Sequence, residues 1–281
     1  MSFACRNCGG TTAQPVYSDV VDRFQGTPGA YAYVSCAGCG LIQLGDEPPD
    51  PAELYKNYRV HTGDSALQRA MRKLLIGHCY LEKPGDGKQL LDIGCGNGSY
   101  MQLMASHGWK PTGYEPDAGY AASLAEKIGF PVLSGLPALE QHAGEFDLVT
   151  FNFSFEHLFE PLRTLDLAAA CLKPGGEIYI VVPNIESREA QIFKDRWFHL
   201  DPPRHITFFT KQLLGDHLQR HGFDDIKVKN IAVPTGFAGS VSYKLLGKFQ
   251  PLAWYAGMLP GVLFSTVVRD GNFAITARRT A

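Results

Sequence analysis

The chain has 281 residues, 45% of them hydrophobic and 19% charged, with a formal net charge of −2. That is enough apolar sequence for one large domain and a small companion, and the near-neutral balance excludes a chain drawn to nucleic acid by overall charge. Residues 1–10 are polar and lack the apolar run of a secretory signal, so an odd count of seven cysteines (Cys5, Cys8, Cys36, Cys39, Cys79, Cys95 and Cys171) with two C-x-x-C pairs argues for metal in a reducing, cytoplasmic setting rather than disulfides.

Cys5-Arg6-Asn7-Cys8-Gly9 and Cys36-Ala37-Gly38-Cys39-Gly40 form two matching knuckles. Each turns two thiolates to one point, and the glycine after the second cysteine permits the turn. Strand-like runs at 16–20 and 31–35 lie between them, separated by Gly26-Thr27-Pro28-Gly29. Residues 1–45 therefore read as a zinc ribbon with Cys5, Cys8, Cys36 and Cys39 as ligands of a structural ion; a redox dithiol is the alternative. Arg6 and Arg23 are balanced by Asp19 and Asp22 over this stretch, which does not suit a phosphate-binding finger. The ribbon is expected to shape a small-substrate site or an interface.

Three prolines in 45–51 mark a boundary. Leu67, Met71, Leu74, Leu75 and His78 then recur at helical spacing, so 46–88 reads as a helical linker. Leu90-Leu91-Asp92-Ile93 is a buried-strand run ending on Gly94-Cys95-Gly96-Asn97-Gly98, and a helical pattern opens at Tyr100, Leu103 and Met104. Strand, tight glycine turn and helix make a ligand-binding element, because glycine admits close backbone approach and the helix start offers unpaired N–H groups. Ser99 stands where a dinucleotide fingerprint wants its third glycine, and no G-K-[ST] closes the turn.

The stretch instead resembles D-x-G-x-G-x-G, the first motif of class I S-adenosylmethionine (SAM) methyltransferases. The resemblance implies that Gly94, Cys95, Gly96 and Gly98 lie against the methionine part of SAM and that Asp92 helps hold its amino-acid end. An acid suits a cofactor that carries an ammonium and a sulfonium and no phosphate. A glycine turn of another doubly wound enzyme is the bland alternative. In that family an N-terminal helical segment often covers the cleft, which would put Tyr55 and Tyr58 on it; Tyr58 is the candidate acceptor contact.

A second strand at 111–115 ends on Glu115, placed to accept hydrogen bonds from both ribose hydroxyls. A helix at 118–128, a short strand at 132–133, a short helix at 136–142 and a buried strand at 146–151 follow. The piece after it, Asn152-Phe153-Ser154-Phe155-Glu156-His157, resembles the post-strand motif of small-molecule methyltransferases, placing Asn152 beside the cofactor and His157 near the transferred methyl. A near-neutral histidine is a fitting general base; Glu156 and His157 as helix caps are the alternative. A helix at 162–172 stops at Lys173-Pro174-Gly175-Gly176 and a strand runs over 177–182. L-K-P-G-G is a third resemblance to the same family, and the three motifs together span 89–183.

Residues 197–210 hold two prolines, Arg204, His199 and His205 among aromatics, an expected acceptor pocket. Arg204 is the candidate for gripping a carboxylate or phosphate, and His205 is the rival base to His157; the alternative is that both merely tie this loop to the body. Thr210 caps a helix over 211–221, and strands at 226–233 and 273–278 complete the sheet. Between those strands lies an insertion at about 235–270 in which 250–268 is uncharged, with Lys244, Lys248 and Arg269 beside it. Pro251 and Pro260 argue against a membrane span, and a basic amphipathic stretch at 240–249 suits a helix lying on a membrane surface or a homodimer contact.

The expected architecture is α/β: a doubly wound seven-stranded Rossmann-like methyltransferase sheet over 89–281, the linker, and the small four-cysteine zinc ribbon. The expected function is SAM-dependent methylation of a hydroxyl or acidic carbon on a small molecule or glycan, with a lipid-linked acceptor in view. An rRNA guanine methyltransferase and a non-catalytic SAM-binding accessory subunit are the alternatives. Ribbon plus domain also resembles the sugar C-methyltransferases of deoxysugar pathways, although those carry a further C-terminal domain.

Overall fold

The computed structural model describes residues 3–46 and 80–280, and the helical pattern at 65–79, with Tyr55, Tyr58 and Cys79, lies outside the described residues. Two sheets organise the described chain. The larger contains β4 (Gln89–Ile93), β5 (Lys110–Tyr114), β6 (Val132–Leu133), β7 (Phe146–Asn152), β8 (Leu172–Pro183), β10 (Phe223–Ile231) and β11 (Asn272–Arg279). Their spatial order is β10-β11-β8-β7-β4-β5-β6; β11 is antiparallel to both its neighbours, β10 and β8, and the pairs from β8 through β7, β4 and β5 to β6 are all parallel.

The sequence dictates this sheet through period-two burial. Leu91, Ile93, Val149, Phe151, Ile178 and Ile180 enter one core, while Leu90, Leu148, Tyr179 and Val181 enter another on the opposite face. Burying both faces is what parallel strands require, and each large aliphatic contributes about 1.5–3 kcal/mol relative to exposure. Helices α1 (Ser99–Ser106), α2 (Ala118–Ile128), α3 (Leu136–Glu140), α4 (Pro161–Cys171), α5 (Arg188–Phe193) and α6 (Lys211–Arg220) accompany the sheet. Asp117 caps α2 by accepting from the Tyr120 N–H, and Thr210 caps α6 by accepting from the Leu213 N–H.

Two of the boundaries that differ from the sequence reading have a clear physical cause. β8 begins at Leu172, where the expected helix ends, and runs through the Lys173–Gly176 stretch expected to be only a helix stop; a register irregularity in its pairing with β7 absorbs the glycines. β10 begins at Phe223, three residues earlier than the expected start, because β11 runs to Arg279 and pairs with it from the first residue.

The smaller sheet holds β1 (Ala13–Val20), β2 (Tyr31–Cys36) and β3 (Ile42–Leu44), joined antiparallel in that order. It continues into the larger unit: β9 (Thr207–Phe208) pairs with β3. Cys5, Cys36 and Leu41 share a core with Phe209, Leu214 and Leu218, so the N-terminal module is fused to the body. Arg6 donates to the Phe159 carbonyl at 2.7 Å and Asn7 meets the His217 ring.

The insertion is a helical hairpin of α7 (Pro234–Leu246) and α8 (Pro251–Val267). A helix therefore forms through Pro260, which sits on the exposed side where the freed carbonyl one turn back can meet solvent. Gly257 and Gly261 let the helices close: a Cβ on Gly261 would lie 2.7 Å from the Pro234 carbonyl oxygen. Among the described residues no helix is long and apolar enough to cross a membrane.

Candidate functional site at the switch point of the sheet

Strand order reverses between β4 and β7, and a doubly wound sheet opens its crevice at the carboxyl ends of such strands. The glycine turn leaves β4 there. Gly94, Gly96 and Gly98 all have positive φ, at 74°, 58° and 75°. Two of them are fixed by packing, since a Cβ on Gly94 would strike the Ser154 side chain and one on Gly98 would meet Ile128 at 2.7 Å. A Cβ on Gly96 would meet nothing within 4 Å, so the turn faces open space at its middle glycine. That is room for a ligand.

Glu115, the residue after β5, stands at that opening, 8% exposed, with its Oε1 accepting from the Gly96 N–H at 2.5 Å. Burial pushes its carboxyl up to about 7 against the pull of that N–H, an environment that a pair of donating hydroxyls would relieve. Asp92 lies beneath, 1% exposed. Its Oδ1 accepts from Thr150 Oγ1 at 2.7 Å and from Asn152 Nδ2 at 3.0 Å, and burial raises its pKa to about 6. Thr150 escaped the sequence reading, since a threonine in a strand carries no local mark of function. Asn152 spends its amide on Asp92 and leaves Oδ1 buried without a hydrogen-bond partner.

Cys95 keeps its place in the turn, its thiol packed with Met101 and Leu124 and 2.6 Å from where a Cβ on Gly113 would stand. One expected role needs correction. Arg204 is fully buried and already gripped. Its guanidinium donates to both oxygens of Asp22 at 2.8 Å and to both of Asp201, at 2.5 Å and 2.8 Å. A bidentate hold on an acceptor's anion is therefore closed to it. Arg204 instead ties the 197–209 loop to the ribbon, and Tyr33 adds to the tie with its hydroxyl 2.7 Å from the Leu200 carbonyl and 2.9 Å from that of His205. Burial works against an ionised Asp22, yet Arg204 holds its carboxyl well below the usual carboxylate range.

His157 and His205 do come together. Their ring centroids are 4.5 Å apart, edge to face. His157 Nδ1 lies 3.0 Å from the Arg204 carbonyl and His205 Nδ1 lies 2.7 Å from the His199 carbonyl. Nδ1–H facing a carbonyl fixes the tautomer and leaves Nε2 with the lone pair. Burial lowers both, His157 to about 4 and His205 well below the usual value, so each ring is neutral and weakly basic. Glu156 completes the group. Tyr58 lies outside the described residues.

At the N-terminus Cys5 Sγ is 3.5 Å from Cys39 Sγ, and Cys8 Sγ is 3.6 Å from Cys36 Sγ. Sulfurs at about 2.3 Å from a tetrahedral zinc stand about 3.8 Å apart, so the four fit an ion with little movement. Burial opposes ionisation of Cys36, but the Cys39 and Gly38 N–H groups bring its thiol down to about 7.

A seven-stranded sheet with a glycine turn, an acid after the second strand of the parallel set and an open switch point defines a doubly wound methyltransferase-type fold. Residues 64–228 match the methyltransferase domain family, and the chain belongs to it. It is 35% identical over 105 residues to the ubiquinone biosynthesis O-methyltransferase of Aromatoleum aromaticum and 33% identical over 105 residues to that of Dechloromonas aromatica. Each match covers 35% of this chain and spans 45% of the relative's length. Among solved structures, a SAM-dependent methyltransferase from Archaeoglobus fulgidus aligns with a TM-score of 0.53 at 20% identity, over 82% of this chain and 100% of that one. The phosphoethanolamine N-methyltransferase 2 of Haemonchus contortus, in complex with SAM, aligns at 0.52 and 18% identity, over 82% of this chain and 56% of that one.

Proposed function

We propose that the chain moves the methyl group of SAM to a hydroxyl on a small molecule, a glycan or a lipid-linked acceptor. The open cradle at Gly96 flanked by Glu115 carries this reading. Glu115 holds the ribose hydroxyls, the N–H groups of the 94–98 turn line the methionine part, and Asp92 with Asn152 receives the ammonium. Bound SAM supplies an already activated methyl, so the protein's tasks are alignment and removal of the acceptor's proton. His157 and His205 are the candidates for that removal through Nε2. The relatives named for ubiquinone biosynthesis favour a hydroxyl over an acidic carbon as the acceptor.

The ribbon holds a structural zinc through Cys5, Cys8, Cys36 and Cys39 and works in the cytoplasm by supporting the 197–209 loop. The exposed face of the α7–α8 hairpin rests on the membrane surface and brings the cleft to a lipid-borne acceptor.

The decisive measurement is transfer of label from methyl-labelled SAM into separate phenol, sugar, lipid and RNA fractions. Label in a hydroxyl-bearing small molecule or lipid, lost in Glu115→Ala, is the expected outcome. Label in RNA alone would replace the reading with an RNA methyltransferase, and SAM binding without transfer to any fraction would replace it with an accessory subunit.

A further inference from the structure

Glu156, His157 and His205 form a cluster that the sequence alone splits between a helix cap and two rival bases. Each offers one ligand atom, and the three atoms lie within 4.8 Å of one another. Glu156 is 2% exposed, yet both of its carboxylate oxygens are buried without a hydrogen-bond partner. An ionised or neutral carboxyl left so costs roughly 1–3 kcal/mol or more, a burden natural structures carry where a ligand relieves it. His205 Nε2 is 4.0 Å from Glu156 Oε1, beyond hydrogen-bond reach.

The two imidazoles are prepared in the manner of metal ligands. Each turns Nδ1 to a backbone carbonyl, of Arg204 and His199 respectively, which fixes ring orientation. The carboxylate is supplied by the turn Phe155–His157 and the second histidine by the loop that β9 pins to the ribbon, so the donors come from two separately anchored elements. Ligands about 2.1 Å from an ion stand roughly 3–3.5 Å apart, so the group needs to draw in by about 1 Å, within side-chain reach.

We propose that Glu156, His157 and His205 bind a divalent first-row transition ion, separate from the thiolate-held zinc. Two imidazoles and one carboxylate suit Zn2+, Mn2+ or Fe2+ and leave coordination positions open. The site lies two residues beyond Ser154, whose Oγ donates to the Ile93 carbonyl at 2.5 Å beside the glycine turn. If methyl transfer to a hydroxyl is the reaction, an assignment on which this further role rests, an open position would take the acceptor oxygen and lower its pKa, so that its proton would pass to solvent water and no direct histidine base would be needed.

The test is Co2+ and Zn2+ binding by the full chain, which does not depend on any acceptor. Protein isolated under reducing conditions is incubated with each ion, freed of excess by gel filtration, and measured for metal per chain and for the Co2+ visible spectrum. The expected result is two ions per chain, with the second Co2+ showing d–d bands but no sulfur-to-metal charge transfer. Glu156→Gln and His205→Gln should each lose the second ion and keep the thiolate-bound one. Retention of two ions by both variants would overturn the assignment. So would a single, thiolate-bound ion in the unaltered protein, whatever the folding of the variants. Metal bound with normal spectra but no effect on methyl transfer would leave the site standing and remove only its part in the reaction.

Discussion

Glu115 has a carboxyl that the fold keeps buried at a cost, offset by the Gly96 N–H and the Cys95 thiol. Ribose hydroxyls would add hydrogen bonds to a charged group, worth about 1.5–3 kcal/mol. Glu115→Ala should weaken SAM binding by that amount, roughly 10- to 150-fold in Kd, while calorimetric affinity unchanged in a folded variant would remove Glu115 from the site. Arg204 makes the opposite case, a residue of functional type used for architecture. Removing one partner of a buried ion pair costs about 3–5 kcal/mol, so Asp22→Asn should lower the melting temperature and loosen the 197–209 loop. The pH sign follows from Asp22 being held below its unfolded value of about 3.9. Its contribution is complete above that value and lost as pH falls through the folded one. The gap in melting temperature between the wild type and Asp22→Asn should therefore be constant above about pH 5 and shrink below about pH 4; a gap constant through the acid range would mean that Asp22 is not ionised in the fold.

At the scale of elements, legibility tracks how local the cause is. β4, β5, β7 and α2 lie open in the sequence, because apolar runs, flanking glycines and an Asp cap are read within ten residues. The glycine turn and Glu115 are legible for the same reason. β9 is not: two residues pair with β3 across more than 160 positions, and nothing near Thr207 announces it. Asp22 and Asp201 escape for that reason too, since Arg204 and Asp22 are brought together only by the fold, and in its local sequence the arginine looks like a substrate clamp. Glu156 is legible as a residue but not as an orphaned carboxylate, which only three-dimensional burial reveals. The ribbon shows what this fusion implies. Cys36→Ser should abolish the zinc binding proposed for the four thiolates, and because β3 carries β9, proteolytic cuts should appear both within 13–44 and within 197–209 while the β4–β8 core resists. Cuts confined to the ribbon would show the two sheets to be mechanically independent.

At the scale of the whole molecule, the α7–α8 hairpin presents the chain's large apolar face. Leu252 is 83% exposed, Leu259 72%, Leu263 64% and Val267 80%, all on the side of α8 turned away from α7, and Leu245 at the end of α7 is 74% exposed. A contiguous apolar patch of this kind marks a contact surface. Its inner side packs on the site: Phe198 lies against Gly239, and Gly236 sits beside His199, so whatever covers the hairpin stands one layer from the histidine cluster. Lys244, Lys248 and Arg269 border the face, and no acid lies on α7 or α8. Apolar side chains ringed by cations fit an anionic bilayer, into which such a helix sinks about 5–10 Å, each cation adding about 1 kcal/mol. The expectation is flotation with vesicles of phosphatidylcholine and phosphatidylglycerol, weaker with phosphatidylcholine alone and reduced by salt. Replacing Leu252, Leu259 and Leu263 together by Asp should abolish it while leaving SAM affinity in place, since none of the three touches the cleft. A wild type that stays with the soluble fraction and sediments as a dimer, which the triple variant splits, would assign the same face to a second copy of the chain.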